Sequence, residues 1–78
     1  MRPPRKVHGR AANRAEVLDF TIEPFAFGGF SLSIAYLGPE KSNVTAGGVW
    51  PDIEKAKAIA EQAAGRLLRG ATVRWDSE

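Results

Sequence analysis

The sequence predicts a two-layer α+β domain with the element order β-β-β-α-β over residues 15–78. Apolar and polar residues alternate over 17–23 and 30–37, and again over 71–76, which is typical of strands buried on one face. Apolar residues recur at spacings of three and four over 53–67, which indicates a helix lying on the sheet. The predicted fold is therefore an antiparallel three-stranded meander, one helix packed on it and a final C-terminal strand.

The first two predicted strands form a hairpin. Pro24 should end the pairing of the first strand or bulge it, because proline has no N–H for the ladder. Gly28-Gly29 is a strong turn signal before the second strand. Strands this close in the chain can only pair antiparallel. The side chains predicted to face the helix are Leu18, Phe20, Ile22, Phe30, Leu32, Ile34 and Tyr36.

The third strand and the helix follow a loop over 38–43. The third strand is predicted over 44–49, where Gly47-Gly48 indicates a bulge or a close backbone approach. Asp52 is a suitable helix N-cap because its carboxylate accepts hydrogen bonds from first-turn N–H groups. The apolar helix stripe predicted to face the sheet is Ile53, Ala56, Ala60, Ala63, Ala64 and Leu67.

Residues 1–14 differ from the rest of the chain in charge and pattern. They hold five basic residues and no acidic residue, whereas residues 15–78 hold six basic and nine acidic ones. Their prolines, Gly9 and lack of periodicity predict a disordered basic arm. The arm is either a plain tail or a contact for nucleic-acid phosphates that reads little sequence. The candidate nucleic-acid contacts are Arg2, Arg5, Lys6, Arg10 and Arg14.

The sequence predicts neither an enzyme nor a metal or cofactor site. His8, the only histidine, lies in the arm, and the chain has no cysteine. Asp19 and Glu23 would lie roughly 13 Å apart along one strand, too far for a close carboxylate pair. Both glycine pairs lack the strand–loop–helix context of a phosphate-binding loop.

The composition also predicts the environment of the chain. The longest apolar runs fall far short of the roughly 20 residues that a membrane helix needs. The N-terminus lacks the apolar segment of a signal peptide. We therefore expect a cytoplasmic protein with no membrane contact.

Aromatic residues outside the predicted core indicate an interface. One alanine-rich helix covers four strands poorly, so apolar surface should remain for another protein. We expect a protein partner and a homodimer, and the residues predicted for the partner or dimer interface are Phe25, Phe27 and Trp50.

Several short motifs have a recognisable order. Ile22-Glu23-Pro24, Gly28-Gly29-Phe30 and Asp52-Ile53-Glu54-Lys55-Ala56, the last preceded by Gly48, resemble the HicB-type antitoxin domain over residues 17–68. Residues 38–43 depart from the Pro-Asp-Leu-Pro-Gly-Cys segment usual in that family. The resemblance implies a partial ribonuclease-H-like β-β-β-α-β fold and a non-enzymatic module that binds a small toxin protein by covering its surface. The alternative is a small nucleic-acid-binding accessory protein that uses the basic N-terminal arm.

Overall fold

The computed structural model describes residues 6–76, which form a five-stranded antiparallel sheet with one helix packed on it. The strand order is β4-β3-β2-β1-β5. The two-layer α+β class with a C-terminal strand is therefore confirmed. The elements are β1 (Val7–Ala12), β2 (Val17–Pro24), β3 (Phe30–Leu37), β4 (Ser42–Trp50), α1 (Ile53–Leu67) and β5 (Arg74–Asp76).

Four strands precede the helix, whereas the sequence pattern predicted three. β1 pairs antiparallel with β2 along its whole length, from Val7 opposite Ile22 to Ala12 opposite Val17. A disordered arm over 1–14, separate from a domain over 15–78, is therefore wrong for Val7–Ala12. Residues 1–5 lie outside the described residues. β1 shows no large-residue alternation because its buried positions are taken by Gly9 and Ala11.

The core lies between the middle of the sheet and α1. β2 is the central strand, and its alternation buries one face completely while Asp19 and Thr21 lie on the opposite, uncovered side, which we call the open face. The buried helix residues are alanines, whose small side chains let the helix approach the sheet closely. The buried core residues are Ala11, Leu18, Phe20, Ile22, Leu32, Ala56, Ala60, Ala64 and Leu68.

The helix begins as the sequence predicts and differs at its end. Asp52 is the N-cap, and its Oδ1 accepts a hydrogen bond from the N–H of Lys55 at 2.8 Å. The four-residue spacing of the buried alanines continues to Leu68, which is buried, whereas Leu67 is 58% exposed. Leu67 was therefore wrongly placed on the face toward the sheet.

β5 is shorter than predicted, and it contacts both the neighbouring strand β1 and the helix. It pairs with β1, placing Trp75 opposite Gly9. A Cβ atom at Gly9 would lie 2.5 Å from ring atoms of Trp75, so only glycine fits there without displacing the indole. The indole Nε1 donates a hydrogen bond to Glu61 of α1 at 3.0 Å. Trp75 therefore joins β1, β5 and the helix.

A hydrogen-bonded carboxylate marks the turn between β1 and β2. Asn13 Oδ1 accepts hydrogen bonds from the N–H groups of Ala15 and Glu16 at 3.0 and 2.9 Å. The Tyr36 hydroxyl donates a hydrogen bond to the Glu16 carboxylate. This hydrogen bond is the main cause of a lowered pKa at Glu16, and a hydrogen bond from Asn13 adds to the lowering. The bond between Tyr36 and Glu16 also raises the pKa of Tyr36.

Tyr36→Phe is expected to raise the pKa of Glu16 toward its ordinary value, because the hydroxyl is the main cause of the lowering. A carboxylate whose pKa is lowered in the folded state stabilises the fold above its unfolded pKa. This contribution is lost as pH falls through the folded pKa. The stability difference between wild type and variant should therefore shrink below about pH 4. An NMR titration of the Glu16 carboxyl carbon measures the pKa, and an unchanged value in the variant contradicts this coupling.

Candidate interaction surface

The turn between β2 and β3 has a fixed backbone. The Gly28 N–H donates a hydrogen bond to the Phe25 carbonyl at 3.0 Å, and the Phe25 N–H donates one to the Gly29 carbonyl at 2.9 Å. Gly28 and Gly29 have φ values of +107° and +77°, a region that costs residues with a Cβ atom but not glycine. The two glycines therefore permit a tight, doubly hydrogen-bonded turn.

This turn presents two phenylalanines to solvent. Phe27 is 91% exposed and Phe25 is 41% exposed. Their ring centroids lie 5.8 Å apart with the planes at 60°, a separation and tilt that aromatic pairs favour. We call Phe25 and Phe27 the aromatic tip. Val49 of β4 is also exposed and lies beside this turn, with its Cγ1 3.4 Å from the position that a Cβ atom on Gly29 would take.

Trp50 lies near the turn that carries the aromatic tip, with its carbonyl oxygen 2.7 Å from the position that a Cβ atom on Gly29 would take. It is half-buried at the end of β4, opposite Phe30, and packs against the core. Its Nε1 donates a hydrogen bond to the Gly47 carbonyl at 2.9 Å. The structure thus places Phe25 and Phe27 together at the surface, whereas Trp50 lies opposite Phe30 with its indole N–H already bonded to Gly47. The role of the three residues in binding a partner stays a prediction.

The predicted nucleic-acid contacts do not form one exposed basic group among residues 6–76. Arg10 Nε lies 2.8 Å from Asp19 Oδ1, and this hydrogen bond raises the pKa of Arg10. Lys6 Nζ lies 3.9 Å from Glu23 Oε1. Arg14 is exposed in the β1–β2 turn. Both paired residues face carboxylates of β2, which reduces their attraction for phosphate.

The remaining two of these contacts, Arg2 and Arg5, lie outside the described residues. The interaction of all five with nucleic acid stays a prediction.

A polar depression on the open face was not foreseen from the sequence. It has a volume of about 480 Å³ and is lined in part by His8, Arg10, Asp19, Arg74 and Asp76. His8 lies opposite Asp76 of β5 because β1 pairs with both β2 and β5. The sequence pattern missed this group because it placed His8 in the arm. The two arginines and the two aspartates of this group balance in charge, and Arg10 already pairs with Asp19.

Three further findings concern metal ligands, membrane-spanning helices and similarity to known proteins. Among residues 6–76, no three histidine, cysteine or carboxylate residues are grouped as metal ligands. Within the same part of the chain, no helix has the length and apolar character needed to cross a membrane. No protein-family model matches the sequence, and no curated protein or solved structure is significantly similar to it.

Proposed function

We propose that this protein is a non-enzymatic interaction module that binds another protein through the aromatic tip. The observation that carries the proposal is Phe27, 91% exposed on a turn whose backbone is fixed. Removing apolar area from water contributes roughly 25 cal/mol per Å². A turn that is already ordered loses little conformational freedom when a partner covers it.

The chemistry of the tip indicates an apolar pocket on the partner. Aromatic residues are enriched in the buried centres of protein interfaces. Phe25, Phe27 and the neighbouring Val49 form a small apolar group at one end of the sheet. A concave apolar surface on the partner would cover all three side chains together, with Phe27 as the anchor.

The resemblance to the HicB-type antitoxin domain supplies the partner class. Two of its motifs, Ile22-Glu23-Pro24 and Gly28-Gly29-Phe30, lie on either side of the aromatic tip, at the end of β2 and the start of β3. We therefore propose a small toxin protein as the partner, inhibited because this chain covers its surface. β1 is an additional strand ahead of the β-β-β-α-β order of that family.

Phe27→Ala is expected to weaken partner binding by about 30-fold, corresponding to ~2 kcal/mol for an interface anchor. The fold should be retained because the side chain has few contacts to lose. The proposal predicts a small growth-inhibiting protein encoded beside this chain, and that protein is the partner to use. Co-expression with it gives relief of growth arrest, and calorimetric titration of the purified proteins gives the affinity.

Ala26→Ser is the matched control, because it changes the residue between the two rings and leaves the rings and the turn in place. It should bind like the wild type. Equal affinities for wild type and Phe27→Ala contradict the tip as the binding surface. A neighbouring reading frame that encodes no growth-inhibiting protein contradicts the antitoxin role without bearing on the tip.

A further inference from the structure

The two edges of the sheet differ in length and charge. The β5 edge has three residues and includes Arg74 and Asp76, whereas the β4 edge has nine residues and no charged side chain. Free edges carry unpaired N–H and C=O groups that can bind another strand, and proteins protect them with short length, charge or proline. β5 has two of these protections. Ser42–Ala46 of β4, which precedes the bulge near Gly47, has none.

The hydrogen-bonding direction of each β4 residue follows from the turn before it. The Gly38 N–H donates to the Lys41 carbonyl at 2.9 Å, so these two residues form a hydrogen-bonded pair. Such pairs alternate with non-bonded pairs along an antiparallel ladder. Asn43 and Thr45 therefore bond to β3. The residues whose N–H and C=O groups point away from β3 are Ser42, Val44 and Ala46.

We propose that two copies of this chain pair through β4, antiparallel about a two-fold axis at Val44. Val44 then lies opposite Val44 of the partner subunit, and Ser42 lies opposite Ala46 of the partner subunit. Each of these residue pairs exchanges two backbone hydrogen bonds. The pairing doubles the five-stranded sheet into one continuous sheet and closes on itself, so it forms a dimer and not a fibre.

The side chains of β4 suit pairing with a copy of itself. Like charges directly opposite one another destabilise a strand pair, and Ser42–Ala46 places no charge at the two-fold axis. Val44 is 73% exposed on the open face, where its neighbour on β3 is Ala35. Pairing brings the two valines into contact, with their Cβ atoms about 4.5–5.5 Å apart.

The face of the sheet that carries the helix also has room for the second copy, beside the line where the two β4 strands pair. A groove of about 530 Å³ lies there and is lined in part by Ile34, Tyr36, Thr45 and Leu67. α1 packs across β2, β3 and β4 and is thus centred on β3. In the dimer, the two β3 strands are three strand spacings apart, about 14 Å. Helices in direct contact lie 8–10 Å apart, so the gap is wide enough for the exposed Leu67 of each helix to project into it.

The proposed dimer leaves the aromatic tip free. Val49 and the tip lie beyond the bulge at the other end of β4, outside the self-paired segment. The dimer therefore does not rest on the proposed partner binding. Each surface can be removed by a substitution that leaves the other in place.

Sedimentation equilibrium of the full chain over a wide concentration range tests the proposal, together with amide hydrogen exchange. We expect a monomer–dimer equilibrium in which the amides of Ser42, Val44 and Ala46 gain protection as concentration rises. Val44→Lys should raise the dimer dissociation constant at least tenfold, because it places two lysines opposite one another. Val49→Lys is the matched control on the same strand and the same open face, and it should leave the dimer intact.

Several results would overturn the proposal. These are a monomer at every concentration, open-ended oligomers, or a dimer that Val44→Lys and Val49→Lys affect equally. A dimer lost on Phe27→Ala would place the dimer contact at the aromatic tip. Loss of toxin binding in Val44→Lys, without any dimer in the wild type, would show that a foreign strand occupies β4. Thermal melting of each variant confirms that the exposed substitutions leave the fold intact.

Discussion

Phe20→Ala is expected to destabilise the fold by about 3–5 kcal/mol, the usual cost of removing a buried aromatic ring. Phe20 is fully buried on the central strand, between Gly9 of β1 and Ile34 of β3 in the register of the sheet. Its ring centroid lies 6.1 Å from that of Trp75. A domain of this size has a total stability of about 5 kcal/mol at the low end of the usual range, so the variant should be largely unfolded.

Phe27→Ala is the matched control for Phe20→Ala, since it makes the same chemical change on an exposed side chain. Its effect on stability should stay within about 0.5 kcal/mol. Urea unfolding followed by tryptophan fluorescence and far-ultraviolet circular dichroism measures both variants. Similar destabilisation by the two substitutions would contradict the assignment of Phe20 to the core and of Phe27 to the surface.

The parts of the fold that could be predicted are those in which large side chains repeat. β2 and β3 alternate leucine, isoleucine and aromatic residues with polar ones, and Asp52 marks the helix start in the sequence as it does in the structure. β1 has the same two-residue period, with Val7, Gly9 and Ala11 inward. The pattern was missed because glycine and alanine give little hydrophobic signal, and because alanine occurs on both sides of the strand, with Ala11 inward and Ala12 outward. The need for glycine at position 9 is explained by Trp75 of β5, whose ring occupies the space that a Cβ atom would take.

The candidate surfaces also differ in how far the sequence alone could predict them. The exposure of Phe25 and Phe27 follows from a local signal, the Gly28-Gly29 turn directly after them. The bare edge of β4 depends on strand order, and β4 is at an edge because β1 and β5 add to the other side of β2. No local pattern contains that information. The end of the helix shows a similar limit, since an alanine stripe leaves Leu67 and Leu68 nearly equivalent until the packing is known.

Removing residues 1–12 is expected to abolish cooperative folding, a loss on the order of the whole stability of a small domain, about 5 kcal/mol. The deletion removes β1, the strand that pairs with β2 from Val17 to Ile22. It also removes the strand against which β5 pairs, together with Gly9 beneath the Trp75 indole. Thermal and urea unfolding monitored by circular dichroism should show a broad, weak transition or none.

Removing residues 1–5 alone is the control for that deletion, because it leaves β1 in place and should preserve the melting transition. A native-like transition after removal of 1–12 would contradict the place of β1 in the sheet.

The same expectation decides how binding to nucleic acid has to be tested, since a protein without residues 1–12 would lose binding through unfolding. Replacing Arg2, Arg5 and Arg14 with glutamine removes three charges and leaves the β1 ladder intact. A salt-dependent duplex affinity that survives those replacements would therefore contradict a phosphate contact through the three arginines.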